Sequence, residues 1–253
     1  MMEYTKVDQL QVFIAESREE MGLLSGHDVA ATLKMLLQMK EEVNVMFGAA
    51  PSQNEVLATL ISDPEIEWNR VHAFHMDEYI GLSRTAPQGF GNFLRERVFD
   101  KAQFKSVNYI NPEATDPQEE AARYEALLLA HPMDVCVLGI GENGHIAFND
   151  PGEADFHDTR LVKPVHLDER CRQQQVNDGC FAALDDVPKM ALTVTVPGML
   201  RAKAMFCVVP TTNKAEAVKN TLTGEISESC PASILRTKPN ARLYLDPASA
   251  SLL

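Results

Sequence analysis

The segment Val135 to Ile140, VCVLGI, constrains the fold of this chain more than any other. Its bulky apolar residues do not alternate with polar ones, so a strand built from it is buried on both faces, as inner strands of a parallel sheet are. Around it, short apolar runs alternate with stretches of helical period, the pattern of parallel strands joined by crossover helices. Helices are expected over Gly26 to Lys40, where Val29, Ala30, Leu33, Leu36 and Leu37 share a face, over Ser52 to Ile61, around Phe93 to Phe99, over Gln118 to Leu129 and over Lys214 to Leu222. Further strands are expected at Val43 to Phe47, Val71 to His75, Val107 to Ile110, Ala191 to Val196, Ala204 to Val209 and Ala241 to Leu245. No internal repeat, low-complexity tract or linker divides the chain. Residues 1–253 therefore read as one Rossmann-like three-layer α/β domain, with a mostly parallel central sheet and helices on both faces. A chain of 253 residues, 45% of them hydrophobic, suffices for such a core.

With 23 basic against 36 acidic residues, the formal charge of -13 argues against a bulk electrostatic grip on nucleic acid or an anionic membrane. The expected partner is a small molecule, and an anionic one needs a local pocket of donors. No window approaches the roughly 20 apolar residues of a membrane span, and residues Met1 to Glu20 lack the apolar stretch of a signal peptide. The five cysteines, Cys136, Cys171, Cys180, Cys207 and Cys230, show neither CxxC spacing nor an even-numbered framework, and read as small, reduced core residues. A soluble, cytoplasmic protein is the expectation.

Functional loops of parallel sheets lie at the carboxyl ends of the strands. Four unusual segments fall there: Gly48 to Asn54, Met76 to Leu82, Gly139 to Gly152 and Pro210 to Lys214. GIGENGHIAFNDPG, from Gly139, contains a GxGxxG, but the dinucleotide fingerprint must open a helix. Here Asn149-Asp150-Pro151-Gly152 signals a turn too soon, and no acid-ended strand follows at the usual distance. What the glycines allow is close approach of a ligand to backbone N–H groups, which points to Gly141 and Gly144. His145 follows, the side chain best suited to pass protons near neutral pH, with Asp150 to orient it and Asn143 beside it.

Directly after the strand ending in His75 come Asp77 and Glu78. Adjacent residues of an extended chain face opposite sides, so the two carboxylates should differ in environment, one facing a pocket as a base, with Glu78 expected among the residues that hold the substrate. Ala49, Ala50 and Ser52 lie where a strand turns into a helix, with Ser52 as the expected cap, and backbone N–H groups there suit a phosphate. Lys214, at a second strand-to-helix junction, supplies a positive charge. No HExxH or clustered Cys/His spacing supports a metal, and no GxSxG supports a serine hydrolase.

FHMDEYIGL, PQGFGNFLRERVFD, GIGENGHIAFNDPG, VPKMALTV and NKAEAV together resemble the glucosamine-6-phosphate deaminase/isomerase family, which shares a superfamily with the 6-phosphogluconolactonases. The likeness runs along nearly the whole chain. It implies ring opening, aldose-to-ketose conversion and loss of ammonia from glucosamine 6-phosphate, without a cofactor or metal. By motif position Asp77 matches the base that moves a proton between C2 and C1, His145 the residue serving the ring oxygen, and Lys214 a phosphate-binding lysine. Asp150 stands where many members carry Glu, and Asn143 where some carry Asp. Ser52 and its loop replace a threonine- and glycine-rich phosphate loop, and Asn177 falls where the family has a phosphate-binding arginine. Glu153 and Val162 occupy the positions of an effector-binding serine and lysine of some members, so no such regulation is expected. A homo-oligomer is compatible with the resemblance. Two other readings stand beside it: a 6-phosphogluconolactonase-like hydrolase, which has no use for a C2 base at Asp77, and a non-catalytic sugar-phosphate sensor, which usually carries a DNA-binding domain for which this chain has no spare segment.

Overall fold

The computed structural model describes residues 3–253. In chain order its strands are β1 (Glu3–Val7), β2 (Leu10–Ile14), β3 (Val43–Phe47), β4 (Val71–His75), β5 (Asp77–Tyr79), β6 (Ser106–Asn108), β7 (Val135–Leu138), β8 (Val162–His166), β9 (Met190–Val194), β10 (Ala204–Val209) and β11 (Ala241–Leu245). The α-helices are α1 (Arg18–Met39), α2 (Asn54–Ile61), α3 (Phe90–Leu94), α4 (Pro117–Ala130), α5 (Glu169–Asn177), α6 (Val196–Leu200) and α7 (Ala215–Thr223). Eight strands form one sheet in the order β1-β2-β11-β10-β7-β3-β4-β6. All its pairings are parallel except that of β1 with β2.

The fully buried β7 lies inside this sheet, as its unbroken apolar run requires. Its residues alternate between two cores. Val135 and Val137 face the side covered by α1 and α2, with Leu33, Val56 and Leu57. Cys136 and Leu138 face the side of α4 and α7, with Tyr124, Leu128 and Val218. These two cores make the three layers expected from the sequence.

Three features depart from expectation. Helix α1 begins at Arg18, where Ser17 caps it by accepting the N–H of Glu20, and runs straight through Gly22 and Gly26. Those glycines are contact points: an added Cβ would lie 2.3 Å from Glu55 Cβ and 2.5 Å from Thr59 Cβ on α2, so the two helices touch through them. Residues 3–14 form the hairpin β1-β2, turning at Asp8 with φ 52°. A second, antiparallel sheet, β5-β9-β8, lies beyond the end of β4. Its central strand β9 stops at Val194 because Thr195 caps α6, accepting the N–H of Gly198.

Candidate active site

In the large sheet the chain runs from β3 outward to β4 and β6, then returns to place β7 on the other flank of β3. The switch point, where a crevice opens in such sheets, therefore lies between the carboxyl ends of β3 and β7. A cleft sits there. It is lined by Ala49, Ala50, Ser52 and Gln53 after β3, by Met76 and Asp77 after β4, by Gly141, His145 and Phe148 after β7, by Lys214 after β10, and by Gln174 and Gln175 of α5. Ala49, Ala50, Ser52, Asp77, Gly141, His145 and Lys214, all candidates from sequence, are thus brought together.

Asp77 and Glu78 part company as the alternation of a strand demands. Strand β5 follows β4 after the single residue Met76, and the bend is fixed by His75. The Nε2 of His75 accepts the N–H of Ile110 at 3.0 Å, so its Nδ1 carries the proton donated to Asp77 O at 2.9 Å. Burial pulls the His75 imidazole down to about 4, which keeps it in this neutral form. The Asp77 carboxylate faces the cleft, 6% exposed, with no hydrogen bond or ion pair among the described residues. Burial, and secondarily the charge of Glu78, raises it well above the usual carboxylate range.

Glu78 does not reach the cleft, contrary to its expected role in holding substrate. Its carboxylate accepts the N–H groups of Tyr79, Phe90 and Gly91 at 2.8–3.0 Å, joining β5 to the start of α3. Burial still pushes it up to about 7, against the lowering effect of those bonds. On its outer side lies a separate cavity of about 520 Å³ that contains none of the groups around Asp77.

The glycine loop is built around His145. An added Cβ at Gly141 would fall 2.2–2.4 Å from three atoms of the imidazole, so the ring lies flat against a residue that must lack a side chain. Nδ1 of His145 comes within 2.8 Å of Asp150 Oδ1, although not with the direction of a hydrogen bond. Asn143 does not line the cleft; it accepts the N–H of His145 at 3.0 Å and donates to Asp150 Oδ1 at 2.8 Å, holding both in register. Asp150 is fully buried, and burial pushes its pKa up. The charge of His145 and the amide of Asn143 outweigh that and hold it below the usual range. Gly144 is also absent from the cleft: with φ +86° it makes the turn, and its α-carbon faces Cys230.

Lys214, which also lines the cleft, is 4% exposed and, among the described residues, its ammonium forms no ion pair. Burial lowers its pKa; the charges of Asp178 and Glu142 act the other way. Helix α5 contributes to the wall, and the residues it turns to the cleft are Gln174 and Gln175. Asn177 is exposed and bonds Gln173 instead. Ser52 lies in a 3₁₀ turn before α2 and caps nothing; its hydroxyl accepts from Gln53 Nε2. Gln53, Gln174 and Gln175 were not legible as site residues, since neutral amides carry no chemical signature in a sequence. Nor was Cys171, on the first turn of α5, whose sulfur comes within 4.8 Å of donor atoms of both His145 and Asp150. Among the described residues no helix is long and apolar enough to cross a membrane.

Residues 16–244 match the sequence model described as glucosamine-6-phosphate isomerases/6-phosphogluconolactonase. The glucosamine-6-phosphate deaminase of Listeria monocytogenes serotype 4a (strain HCC23) is 35% identical over 239 residues, covering 92% of this chain and 100% of that protein. That of Bacillus cereus (strain B4264) is 38% identical over 243 residues, covering 96% and 89%. A solved structure of a monomeric glucosamine-6-phosphate deaminase superposes with a TM-score of 0.86 at 29% identity, covering 96% of this chain and 99% of that one. The 6-phosphogluconolactonase of Thermotoga maritima shares the fold, with a TM-score of 0.77 at 17% identity over 94% of this chain and 99% of its own.

Proposed function

The chain belongs to the glucosamine-6-phosphate isomerase/6-phosphogluconolactonase family, and from that premise we propose that it converts glucosamine 6-phosphate and water to fructose 6-phosphate and ammonia. The observation that carries this reading is that Asp77, a buried carboxylate without a partner, opens on the same cleft as His145 and the unpaired ammonium of Lys214.

A buried cation without a counter-charge is costly, and the phosphate of the substrate supplies one. With the phosphate at Lys214, the sugar lies along the cleft toward the glycine loop. His145 takes the proton of the C1 hydroxyl and returns one to the ring oxygen, which opens the ring and leaves C1 a carbonyl; Asp150 balances the imidazolium while it exists. The carbonyl acidifies the hydrogen on C2. Asp77 lifts that proton and delivers it to C1, so the aldose amine becomes a ketose imine with no net oxidation. Water then adds to C2 and ammonia leaves. Every step is a proton transfer, an addition to a carbon–heteroatom double bond or the reverse elimination that forms one. A lactonase would need only His145 and the anion end, and would leave Asp77 without a task.

The test is to incubate the purified protein separately with glucosamine 6-phosphate and galactosamine 6-phosphate, following ammonia and ketose phosphate, with 6-phosphogluconolactone as the comparison. Release of ammonia from glucosamine 6-phosphate is expected. Silence with both amino sugars removes the assignment, and lactone hydrolysis in their place moves the chain to the other branch of the family.

A further inference from the structure

We propose that His145, Asp150 and Cys171 form a binding site for a thiophilic divalent cation, Zn²⁺ by its donor set, and that filling it reversibly switches the enzyme off. The binding half stands on geometry alone; the inhibitory half rests on the deaminase reading. One donor atom from each residue lies within 4.8 Å of the other two, and all three residues are buried. Ligands bonded to a common centre at about 2.0–2.3 Å stand about 3–4 Å apart, so a small turn of the side chains brings the three donors to one cation.

Asp150 Oδ2 is a buried atom without a hydrogen-bond partner, an arrangement that calls for an explanation in a native structure, and His145 Nδ1, paired at 2.8 Å with Oδ1, lacks the direction of a hydrogen bond to it. Oδ1 of Asp150 is already taken by the amide of Asn143, which leaves Oδ2 free to turn to a metal. The imidazole is pressed against Gly141 and stays where it is. A cation between these groups meets Nδ1 and Oδ2 at once, and the Cys171 thiol completes the set by giving its proton to solvent as the metal–sulfur bond forms. No oxidant or reductant is involved.

One nitrogen, one carboxylate oxygen and one thiolate are ligands for Zn²⁺ and its neighbours, not for Mg²⁺ or Ca²⁺, which seek oxygen alone. Of the three residues only His145 lines the cleft, and the metal would sit on the buried Nδ1 side of its ring. A metal there occupies the nitrogen and the carboxylate that the proton transfers at the ring oxygen depend on, so the filled site and the working site exclude each other.

The test uses the full-length protein, stripped with chelator and dialysed, then titrated with Zn²⁺ by calorimetry and with Co²⁺ by absorption. One equivalent is expected to bind, with a thiolate-to-cobalt charge-transfer band and the intense ligand-field bands of tetrahedral Co²⁺. Cys171→Ala, with Cys171→Ser as a second variant should the first fold poorly, is expected to lose the charge-transfer band. It should also weaken Zn²⁺ binding by more than the 10- to 100-fold typical of losing an outer-shell partner. Ammonia release by these variants, measured against each variant's own metal-free rate, should resist Zn²⁺ at concentrations that stop the parent protein. Absence of the band in the parent, or equal Zn²⁺ affinity in parent and variants, overturns the site. Normal ammonia release at saturating Zn²⁺ overturns the inhibition. If the parent releases no ammonia even when metal-free, the deaminase reading falls, while the cobalt spectrum still decides the site.

Discussion

Asp77 is asked to be a base in a place that disfavours its charge, and that tension sets the pH behaviour of the site. Its pKa is raised by burial and by Glu78, so the protonated, inactive form persists to higher pH than for an ordinary aspartate near 3.9. The acid limb of kcat/KM should therefore lie clearly above that value, activity falling as pH drops through the raised pKa; a limb at the ordinary value would place the base elsewhere. Asp77→Asn should cut kcat by about 10²- to 10⁴-fold while thermal unfolding shows no loss of stability, because removing a buried, unpaired charge costs the fold nothing. Gly141→Ala makes a complementary case. Gly141 has no positive φ to forbid alanine, only an imidazole 2.2 Å from where the methyl would sit. The variant should fold, and ammonia release should drop by at least tenfold as His145 is displaced from Asp150. The sequence showed that Asp77 and Glu78 must face opposite ways, since the period of a strand is two; which one faced the cleft depended on the family resemblance. It did not separate Gly141 from Gly144, because glycine spacing says nothing about which α-carbon meets a ring and which meets Cys230.

At the scale of elements, what was legible is what local periodicity encodes. Strands β7 and β10 are continuous apolar runs, β3, β4 and β11 are largely apolar ones, and all five emerge where expected, while α2, α4 and α7 lie within a few residues of their expected bounds. The sheet β5-β9-β8 was missed as a sheet because β5 has only three residues, all buried, and pairs with a strand more than a hundred residues away. The amide wall of the cleft was missed for a related reason: α5 is a polar helix, and only tertiary packing decides that Gln174 and Gln175 turn inward. Glu78 links these elements, its carboxylate gathering three backbone N–H groups that neither β5 nor α3 can satisfy alone. Glutamine there keeps one acceptor oxygen and sets an NH₂ against backbone donors. Glu78→Gln should cost about 1–3 kcal/mol in urea unfolding and also lower kcat, since the backbone of Asp77 adjoins it. A variant of unchanged stability would mean those N–H groups find other acceptors.

Across the whole molecule, stability and activity occupy opposite ends of the sheet, and Asp134 allows them to be separated. It sits at the amino end of β7, away from the cleft, with a fully buried carboxylate that accepts from Lys40 Nζ at 2.5 and 2.7 Å, from the Asn44 N–H at 3.0 Å, and pairs with Lys203 at 3.0 Å. One side chain thereby ties the end of α1 to the starts of β3, β7 and β10. Burial acts to raise its pKa, but Lys40, the Asn44 N–H and Lys203 together outweigh that and lower it. A carboxylate whose folded pKa is depressed adds stability above its unfolded pKa of about 3.9, and that stability fades as pH falls through the folded value. Asp134→Asn should therefore lose about 1–3 kcal/mol at pH 7, a range kept low because both lysines are part-exposed and screened. The deficit should shrink toward zero as the pH is taken well below 3.9. Asp150 is held below the usual carboxylate range as well, as are Asp63 and Asp158, so the parent's own pH curve does not isolate Asp134. The difference between parent and variant cancels these other carboxylates, and urea unfolding of both proteins at each pH measures it. The folded variant should keep the parent's kcat at pH 7, since no loop that lines the cleft leaves the amino end of a strand; a loss of kcat beyond the unfolded fraction would show that the two ends of the sheet are coupled.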